Sequence, residues 1–368
     1  MGTPSARLPL TFFSRVASAT GASPLILSLG ADAGEWNTFI STHPGGSFYH
    51  RHEWGEINRQ ELGHEFIPLV AHRDGVLVGV LPLVYLRSRL FGRILCSMPF
   101  VNYGGPCATA SDISEALAQA AMEITRVWRA NYLELRCAER LPNGMPVSLR
   151  KVSMTIPLAA DPEVLWKGFT PKHRKNVRRA YKDGLAVTSG CAELLPAFYR
   201  ILEQSWRSLG TPMYQRSYFE RIVKTFPQDT RIFICHRDEV PLAAAFCGYH
   251  RTCGVGIAEG LWAGGTAESR RLDANYVLYW EMIRDCCVRG LQRFHLGRST
   301  AESGGEAFKQ KWNATVTQLY WHFHRPDGGP LPELNVSNPR YHLATRVWRR
   351  LPTGVVRVLG PPLARLIP

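Results

Sequence analysis

The sequence predicts a protein of the α/β (α+β) class that contains two copies of one unit, each a mixed sheet flanked by helices. Two observations lead to this prediction. The 368 residues suffice for two domains of ordinary size, and 45% of them are apolar and 20% charged, as in folded globular proteins. The order helix, helix, strand hairpin, helix and strand also occurs twice along the chain, without obvious identity between the copies.

The first copy begins after a lead-in, residues 1–30, that we expect to be poorly ordered. Its hairpin is indicated by Asp74-Gly75 between two apolar runs, and Asp112 is positioned to cap the helix that follows. The predicted elements, in order, are helices 33–42 and 51–62, strands 66–72 and 76–86, a helix from Asp112 to about Arg129, and strand 132–136.

The second copy repeats this order after the turn-rich segment Leu141–Pro146. We therefore expect an N-terminal domain over 31–148, a C-terminal domain over 149–330 and a basic tail over 331–368. The predicted elements of the C-terminal domain are helices 162–168, 172–182, 193–208 and 217–226, strands 231–235, 241–249 and 254–262, helix 272–289, and strands 293–296 and 315–323.

The composition restricts the partners and the compartment. A formal net charge of +14 favours a polyanionic partner such as RNA, phosphorylated substrates or an anionic membrane face. The nine cysteines form no C-x-x-C pair, which argues against a zinc site or a disulfide framework and favours the cytoplasm. The histidine pairs His50/His52 and His322/His324 lack a third ligand, so we expect no metal. The longest apolar run is too short to span a bilayer.

A basic segment lies at 167–182, with seven lysines or arginines. On a helix, Arg174, Arg178 and Lys182 share one face, and like charges at this spacing repel one another unless an anion offsets them. The segment therefore favours phosphate or RNA binding, the alternative being a solvated helix face. The predicted phosphate-binding residues are Lys172, Arg174, Lys175, Arg178 and Arg179.

A second cluster of polar residues follows the predicted strand 293–296. The loop Gly297–Ser299 leads to the turn Phe308–Trp312, and polar groups at a strand end are typical of α/β active sites. Lys309 or Lys311 in this aromatic setting can stabilise an oxyanion or bind an anionic group; the alternative is a surface lysine beside core aromatics. The loop lacks the second glycine of a serine nucleophile elbow, which argues against a serine hydrolase.

The helix predicted at 272–289 follows Gly264-Gly265, and backbone amides at a helix start can hold an anion. The loop does not contain the Q/R-x-x-G-x-G/A pattern with which acetyl-coenzyme-A N-acetyltransferases bind pyrophosphate, which weakens a coenzyme A hypothesis. Within the helix, Asn275 and Tyr279 share one face and Tyr276 and Trp280 another. This aromatic stripe belongs either to the core or to a substrate wall.

The end of the chain is basic and amphipathic. From position 340 onward it contains six arginines and no acidic residue, with Val347, Trp348 and Leu351 among them. Such a tail either packs on the body of the protein or lies on an anionic membrane surface.

As a set, these segments resemble the FemAB family, and in particular its subgroup associated with exosortase (PEP-CTERM) and exopolysaccharide loci. The resemblance covers residues 35–365. The segments that carry it are 174–185, 272–281 and 294–311 in the second half, 48–54, 88–92 and 103–106 in the first half, and the tail around 348–361.

The resemblance implies two tandem GNAT-like domains with mixed, mostly antiparallel sheets, and non-ribosomal transfer of an aminoacyl or acyl group to an amine. In the best-known members the donor is aminoacyl-tRNA. A lysine in the Phe-Lys turn steadies the tetrahedral intermediate there, and this role maps onto Lys309. Two departures would fit a changed substrate: His295 stands where an acidic residue is expected, and Asn313-Ala314 where a glycine is usual.

We therefore expect a cytoplasmic acyl or aminoacyl transferase, peripheral to the inner face of the membrane if the tail docks there. Its catalytic residue would be Lys309 and its co-substrate aminoacyl-tRNA or acyl-CoA, with no other cofactor. The alternatives are an exopolysaccharide acyltransferase that uses acyl-CoA or an acyl carrier protein, and a non-catalytic membrane-peripheral module of envelope assembly. The predicted substrate-binding residues are Asn275, Tyr279, Trp280, Glu281, Arg298 and Ser299.

Overall fold

The computed structural model describes residues 13–16, 23–88, 91–330 and 339–367, with side chains described over 23–88, 91–330 and 344–367. The rest of the predicted lead-in and the start of the predicted tail, 331–338, lie outside the described residues. The chain divides into two compact units. The first lies within Met1–Leu149 and Gln318–Leu331, and the second within Arg150–Thr317 and Pro332–Ile367.

The strands of the described residues are, in chain order, β1 (Phe13–Val16), β2 (Leu25–Leu29), β3 (Glu65–Arg73), β4 (Val76–Ser88), β5 (Gly92–Ser97), β6 (Cys107–Ala108), β7 (Tyr132–Cys137), β8 (Val147–Ser148), β9 (Lys151–Pro157), β10 (Leu185–Gly190), β11 (Thr230–Arg237), β12 (Val240–Thr252), β13 (Val255–Gly265), β14 (Arg293–His295), β15 (Ser299–Thr300), β16 (Thr315–Gln318) and β17 (Tyr320–His324).

The α-helices of the same residues are α1 (Ala33–Thr42), α2 (His52–Leu62), α3 (Ser111–Val127), α4 (Pro162–Gly168), α5 (Pro171–Lys182), α6 (Leu195–Leu209), α7 (Arg216–Thr225), α8 (Ala267–Arg271), α9 (Ala274–Val288), α10 (Gly304–Gln310), α11 (Pro339–Arg350) and α12 (Thr353–Ala364).

The first unit is built on a sheet in the order β1-β2-β3-β4-β5-β7-β17-β8, with β6 beside β4. Its pairs are antiparallel except β5 with β7, which run parallel and are connected through α3. The apolar side of α3, formed by Ile113, Leu117, Ala121 and Ile124 at helical spacing, is buried in the core of this unit. A parallel pair needs such a crossover, because a tight turn cannot join two parallel strands.

The second unit repeats this plan in the order β10-β11-β12-β13-β14-β9-β15, with β16 beside β9. Here β13 and β14 are the parallel pair, and α8 and α9 form the crossover. Helices α5 and α9 bury Val177, Ala180 and Val277 in one core together with Phe294 of β14. The predicted fold class, two mixed and mostly antiparallel sheets flanked by helices, is confirmed.

Local sequence signals account for the hairpins. At the turn between β3 and β4, Asp74 and Gly75 both have positive φ angles, 52° and 76°, as a type I′ turn requires. The turn between β11 and β12 uses Asp238 and Glu239 in the same way, with φ angles of 47° and 62°. Both hairpins were predicted from the sequence and are confirmed.

The strands β5, β9 and β10 were not predicted, and three predicted segments fold differently. Within the predicted lead-in, β2 pairs with β3 and buries Leu25 and Leu27, whose apolar side chains complete the core of the first unit. The predicted helix 272–289 begins only at Ala274, as α9, because Asp273 has a φ of 57°, and the short helix α8, which was not predicted, precedes it. The predicted strand 315–323 is two strands that belong to different sheets: β16 pairs with β9, whereas β17 pairs with β7.

The division of the chain also differs from the predicted one. The segment Gln318–Leu331, which we predicted in the C-terminal domain, belongs to the first unit because β17 lies in its sheet. The described part of the predicted tail belongs to the second unit. There Trp348, Val356 and Ala364 are buried, and Arg357 donates two hydrogen bonds to Glu203 of α6, at 2.8 and 2.9 Å. In the described part of the chain, no helix is both long enough and apolar enough to cross a membrane.

Candidate active site

The strands β13 and β14 separate in the middle of the second sheet. They pair only over Ile257–Glu259 and Arg293–His295, whereas β13 continues beside β12 as far as Gly265. Beyond Gly260, β13 therefore pairs with β12 alone among the described residues. The peptide groups along such an edge can form hydrogen bonds with a ligand, as they would with an additional strand.

Two features of the sequence explain where the separation begins. A β-bulge inserts Leu261 between Gly260 and Trp262, which pair with Cys247 and Phe246, and a bulge bends its strand. At Gly260, a Cβ atom would lie 3.2 Å from the carbonyl carbon of Leu296, so glycine allows the two chains to approach closely just before they diverge.

A buried glutamate–histidine pair lies at the end of the parallel pairing. Glu259 is fully buried, and its Oε1 lies 3.0 Å from Nδ1 of His295, the residue paired with it across the strands. Burial alone would lower the pKa of His295, but the Glu259 carboxylate outweighs burial and raises that pKa. Sequence analysis missed Glu259, although a glutamate within the apolar strand predicted at 254–262 was a detectable signal. It supplies an acidic group beside His295, the position where an acidic residue was expected.

Lys309 lies at the carboxyl end of β14. It belongs to α10, whose N-terminus is capped by the Ser303 hydroxyl, and its Nζ donates to the carbonyl oxygens of Gly297 and Arg298 at 2.8 and 3.1 Å. Burial and the neighbouring Arg298 guanidinium lower the pKa of Lys309 to about 8. A lysine with a lowered pKa at the point where two strands separate is a candidate catalytic group.

Aromatic side chains from α9 and α10 surround this turn. The Phe308 ring lies 5.5 Å from Tyr276 and 5.2 Å from Tyr279, and the Tyr279 ring stacks on Trp312 at 5.9 Å. Lys311 is also part of this group, because its Nζ lies 3.4 Å from the Tyr276 hydroxyl. The predicted aromatic stripe on α9 thus belongs to the core, and its Tyr276 and Tyr279 form an aromatic wall with Phe308 and Trp312, the residues on either side of segment 309–311.

His173, on the basic helix α5, contacts two rings of this wall. It lies in the first turn of α5, after the capping residue Thr170, and its ring is 4.2 Å from Trp312 and 5.1 Å from Tyr276. Both ring nitrogens are buried without a hydrogen-bond partner among the described residues. Burial, together with Lys311, lowers the pKa of His173 to about 4, so the ring is neutral at physiological pH. Sequence analysis missed this residue because its partners are distant in the chain.

The other predicted substrate-binding residues lie in different surroundings. Trp280 is buried, 4.9 Å from the Trp166 ring, and Ser299 is buried in β15, where it pairs with Val152. Glu281 accepts hydrogen bonds from the Tyr181 hydroxyl and from Arg284, and it lines a groove with Asp285. Asn275 is half-buried in the first turn of α9. Of the six predicted residues, the structure brings Tyr279 and Arg298 close to the Lys309 turn.

The predicted phosphate-binding residues of α5 divide into two groups. Arg174 donates to the Lys167 carbonyl at 3.3 Å, Arg178 lies 5.4 Å from the Trp166 ring, and Arg179 forms an ion pair with Asp273. Lys172 and Lys175 are exposed and form no hydrogen bond or ion pair within the described residues. Among the five predicted residues, only Arg179 is paired with a described acid, and Lys172 and Lys175 are the two whose charged groups make no hydrogen bond, ion pair or cation–π contact with any described residue.

The histidines weighed as metal ligands are engaged otherwise. His50 lies 2.7 Å from the Ser47 hydroxyl and 2.8 Å from the Gly105 carbonyl, and His322 accepts a hydrogen bond from the Leu141 amide. Over the described ranges, no three histidine, cysteine or acidic side chains are placed to hold a metal ion together.

Comparison with known proteins supports the same fold. Residues 171–310, which include α5, β13, β14 and α10, match the family model described as acetyltransferase (GNAT) domain. The structure is similar to FemX, with a TM-score of 0.61, 15% identity, and 79% of this chain and 96% of that chain covered. It is also similar to a tandem GNAT protein from the clavulanic acid biosynthesis pathway, with a TM-score of 0.52, 13% identity, and 84% and 100% of the two chains covered.

A third similar structure is L-PGS from Bacillus licheniformis, with a TM-score of 0.53, 13% identity, and 87% of this chain and 98% of that chain covered. We find no match among curated protein sequences. At these identities the structural likenesses establish a shared tandem GNAT fold, and residues 171–310 are similar to the GNAT acetyltransferase domain model. They do not reach the predicted exosortase-associated subgroup, which stays a prediction.

Proposed function

We propose that the protein transfers an aminoacyl group from aminoacyl-tRNA to an amine of a cell-envelope, polysaccharide or small-molecule acceptor, and that the second unit performs the reaction. The observation that carries this proposal is the position of Lys309 at the carboxyl end of β14, where β13 and β14 separate. The GNAT domain match supports acyl transfer, and the likenesses to FemX and L-PGS support the aminoacyl form.

The chemistry requires little covalent help from the protein. The acceptor amine attacks the ester carbonyl of the donor, a tetrahedral intermediate forms, and its collapse releases the ribose oxygen of the tRNA. An ammonium has three N–H donors, and Lys309 uses two of them on the Gly297 and Arg298 carbonyls. The third remains for the oxyanion of the intermediate, and stabilisation of this developing charge lowers the barrier.

The amine must also lose a proton, and the leaving oxygen must gain one. A single group can accept the first proton and return it, so that the reaction balances. In the proposed mechanism a neutral His295 takes the amine proton and returns it to the ribose oxygen, and the Glu259 carboxylate stabilises the imidazolium between the two transfers. His295 lies two residues before Gly297 in the chain and is half-buried at the same strand end.

The basic helix would bind the carrier. Lys172 and Lys175 are exposed on the first two turns of α5, and His173 of the same helix packs against Trp312 beside the Lys309 turn. Contacts of this kind to the phosphates of an acceptor stem act mainly through charge and carry little sequence information.

The proposal is tested by transfer from a mixture of charged tRNAs, with labelled amino acids, into cell-envelope extract. Replacing Lys172 and Lys175 by glutamine should weaken tRNA binding and reduce the slope of log affinity against log salt by about two. The matched control replaces Arg200 and Lys224, exposed on α6 and α7, and should leave that slope unchanged. An equal change of slope in both double variants would contradict a site on α5, and an absence of transfer from any charged tRNA would contradict the reaction.

A second candidate is transfer from acyl-CoA or an acyl carrier protein, as in exopolysaccharide acylation. The edge of β13 beyond Gly260, with which no described strand besides β12 pairs, favours it, because a pantetheine arm carries amides that can form hydrogen bonds with such an edge. The missing pyrophosphate pattern after Gly265 disfavours it. Thermal shift measurements with acetyl-CoA and with charged tRNA separate the two donors, since only a ligand that binds the folded state raises the melting temperature.

A further inference from the structure

The last helix, α12, is apolar on two opposite sides. Its inner side buries Val356, Gly360 and Ala364 in the second unit. Its outer side carries Val355, Val358, Leu359 and Pro362, which follow one another at the spacing of a single helix face. The first three of these outer residues are 38%, 72% and 46% exposed. We call these four residues the outer face of α12.

Positive charge accompanies this apolar surface. No aspartate or glutamate occurs between positions 339 and 367, whereas Arg346, Arg349 and Arg350 are exposed on the preceding helix, α11. Arg346 and Arg350 form no hydrogen bond or ion pair with any described residue. Arg365 is exposed one helical turn beyond Pro362. Exposed valine and leucine side chains beside arginines, without acids, are typical of helices that lie in a membrane interface.

We propose that the outer face of α12 inserts into the interfacial region of an anionic lipid membrane while the arginines of α11 contact lipid phosphates. Charge complementarity decides between the candidate partners. A second copy of this chain would bring the same arginines against one another in a symmetric contact. An anionic bilayer surface offers both an apolar layer for the valines and negative charge for the guanidinium groups.

This inference is independent of the proposed reaction. The sequence left two alternatives for the tail, packing on the body of the protein and binding to an anionic membrane. In this proposal both hold, since the inner side of α12 packs on the second unit and its outer face binds lipid. Deleting the tail is consequently a poor test. The deletion would remove buried Trp348 and Val356 and the Arg357–Glu203 ion pair, and it would destabilise the unit whether or not lipid binds.

The experiment is co-sedimentation of the full chain with vesicles of phosphatidylcholine alone or mixed with phosphatidylglycerol. A chain with a net charge of +14 can adsorb to anionic vesicles through charge alone. The first variant therefore keeps every charge and makes the outer face polar: Val355→Thr, Val358→Thr and Leu359→Gln. We expect it to lower the partition coefficient on the mixed vesicles roughly tenfold or more, because its side chains no longer transfer favourably from water.

The second variant, Arg346→Gln with Arg350→Gln, should lower the same coefficient roughly 30-fold and leave the weak binding to phosphatidylcholine unchanged. The matched control, Val240→Thr with Val288→Thr, changes two exposed valines elsewhere in the second unit and should bind as the parent does. The melting temperatures of all variants should stay near that of the parent. Binding of the outer-face variant equal to that of the parent would overturn the proposal. A dimer that this variant converts to a monomer would overturn it in favour of self-association.

Discussion

Each unit contains a parallel pair of strands connected by a helical crossover, and in both pairs the parallel pairing stops after three residues. In the first unit Ile94–Cys96 of β5 pair with Tyr132–Glu134 of β7. In the second unit Ile257–Glu259 of β13 pair with Arg293–His295 of β14. Beyond the third pair the strands separate in both sheets, so each unit contains the same gap in its sheet at the same point of its topology.

The first unit fills this gap with its own chain. The segment after β5 turns back, so that the Arg136 amide donates to the Ser97 hydroxyl at 2.8 Å and the Gly104 amide donates to the Arg136 carbonyl at 3.0 Å. Met98 and Phe100 are buried there. The Arg136 side chain is buried and donates to Glu134 at 2.6 Å. Backbone and side-chain groups of the same unit thus occupy the edge of β7 at Arg136, just beyond its pairing with β5.

In the second unit, no described strand besides β12 pairs with β13 beyond Gly260, and Lys309 donates to the carbonyls that follow β14. The difference indicates how a repeated scaffold can serve two purposes. Where a buried arginine and glutamate neutralise each other, the gap contributes to structure. Where a lysine with a lowered pKa borders an open edge, the gap suits chemistry. Three predictions test this contrast.

The largest expected effect lies in the first unit. Arg136→Met should lower its free energy of unfolding by about 3–5 kcal/mol, because the Glu134 carboxylate would remain buried without its cation. Denaturant unfolding monitored by circular dichroism measures this loss. The double variant Arg136→Met, Glu134→Gln should recover most of it, since no uncompensated charge is left. If the single and double variants unfold alike, the pair does not hold the gap closed.

The second effect concerns Lys309. Lys309→Ala should lower kcat roughly 100-fold or more, as loss of one oxyanion donor does, while donor affinity changes little. Lys309→Arg should restore little activity, because a planar guanidinium cannot replace a compact ammonium between two carbonyls. Lys224→Ala on α7 is the control outside the site, and Lys311→Ala measures the contribution of the lysine beside Tyr276. Near-normal turnover of Lys309→Ala would show that Lys309 is not catalytic and that the gap in the second sheet, like that in the first, serves the structure.

The third effect is the pH dependence of turnover. Burial lowers the pKa of Lys309 to about 8, so this lysine loses its proton at a lower pH than an exposed lysine. If the protonated form stabilises the intermediate, kcat should fall about tenfold per pH unit above that pKa. A turnover profile across this range measures the fall, which should be absent from the weak activity of Lys309→Arg. A rate that instead rises through this range would show that the neutral amine acts as a base.

The sequence predicted features that depend on neighbouring residues. The predicted helix 172–182 is α5, and Asp74-Gly75 determines the first hairpin, since helical patterns and turns are local. It did not predict contacts between distant segments. The Glu259–His295 pair joins residues 36 positions apart, and its formation depends on the register of two parallel strands. The contact of His173 with Trp312 depends likewise on the packing of α5 against α10 and α9.

The orientation of the tail helix α12 also could not be predicted from the sequence. Val355 to Ala364 has apolar residues nearly all round, so periodicity alone could not distinguish the buried side from the exposed side. The pairing of Arg357 with Glu203 fixes the orientation of α12, and these residues are 154 positions apart. Lys309 is different, because the Phe-Lys turn was recognisable from sequence, and only its two carbonyl partners required the structure.

The position of β17 has a consequence for biosynthesis. This strand lies between β7 and β8 of the first sheet, yet it is translated after nearly all of the second unit. When residue 149 leaves the ribosome, β7 still has an open edge, and an open edge strand invites pairing with other chains. The first unit therefore cannot complete its sheet before β17 has been synthesised. The pairing of β17 with β7 joins residues that are far apart in the sequence, and such contacts form slowly. Expression of residues 1–149 alone should give an aggregation-prone fragment, whereas supplying 318–331 through a linker should restore a closed sheet.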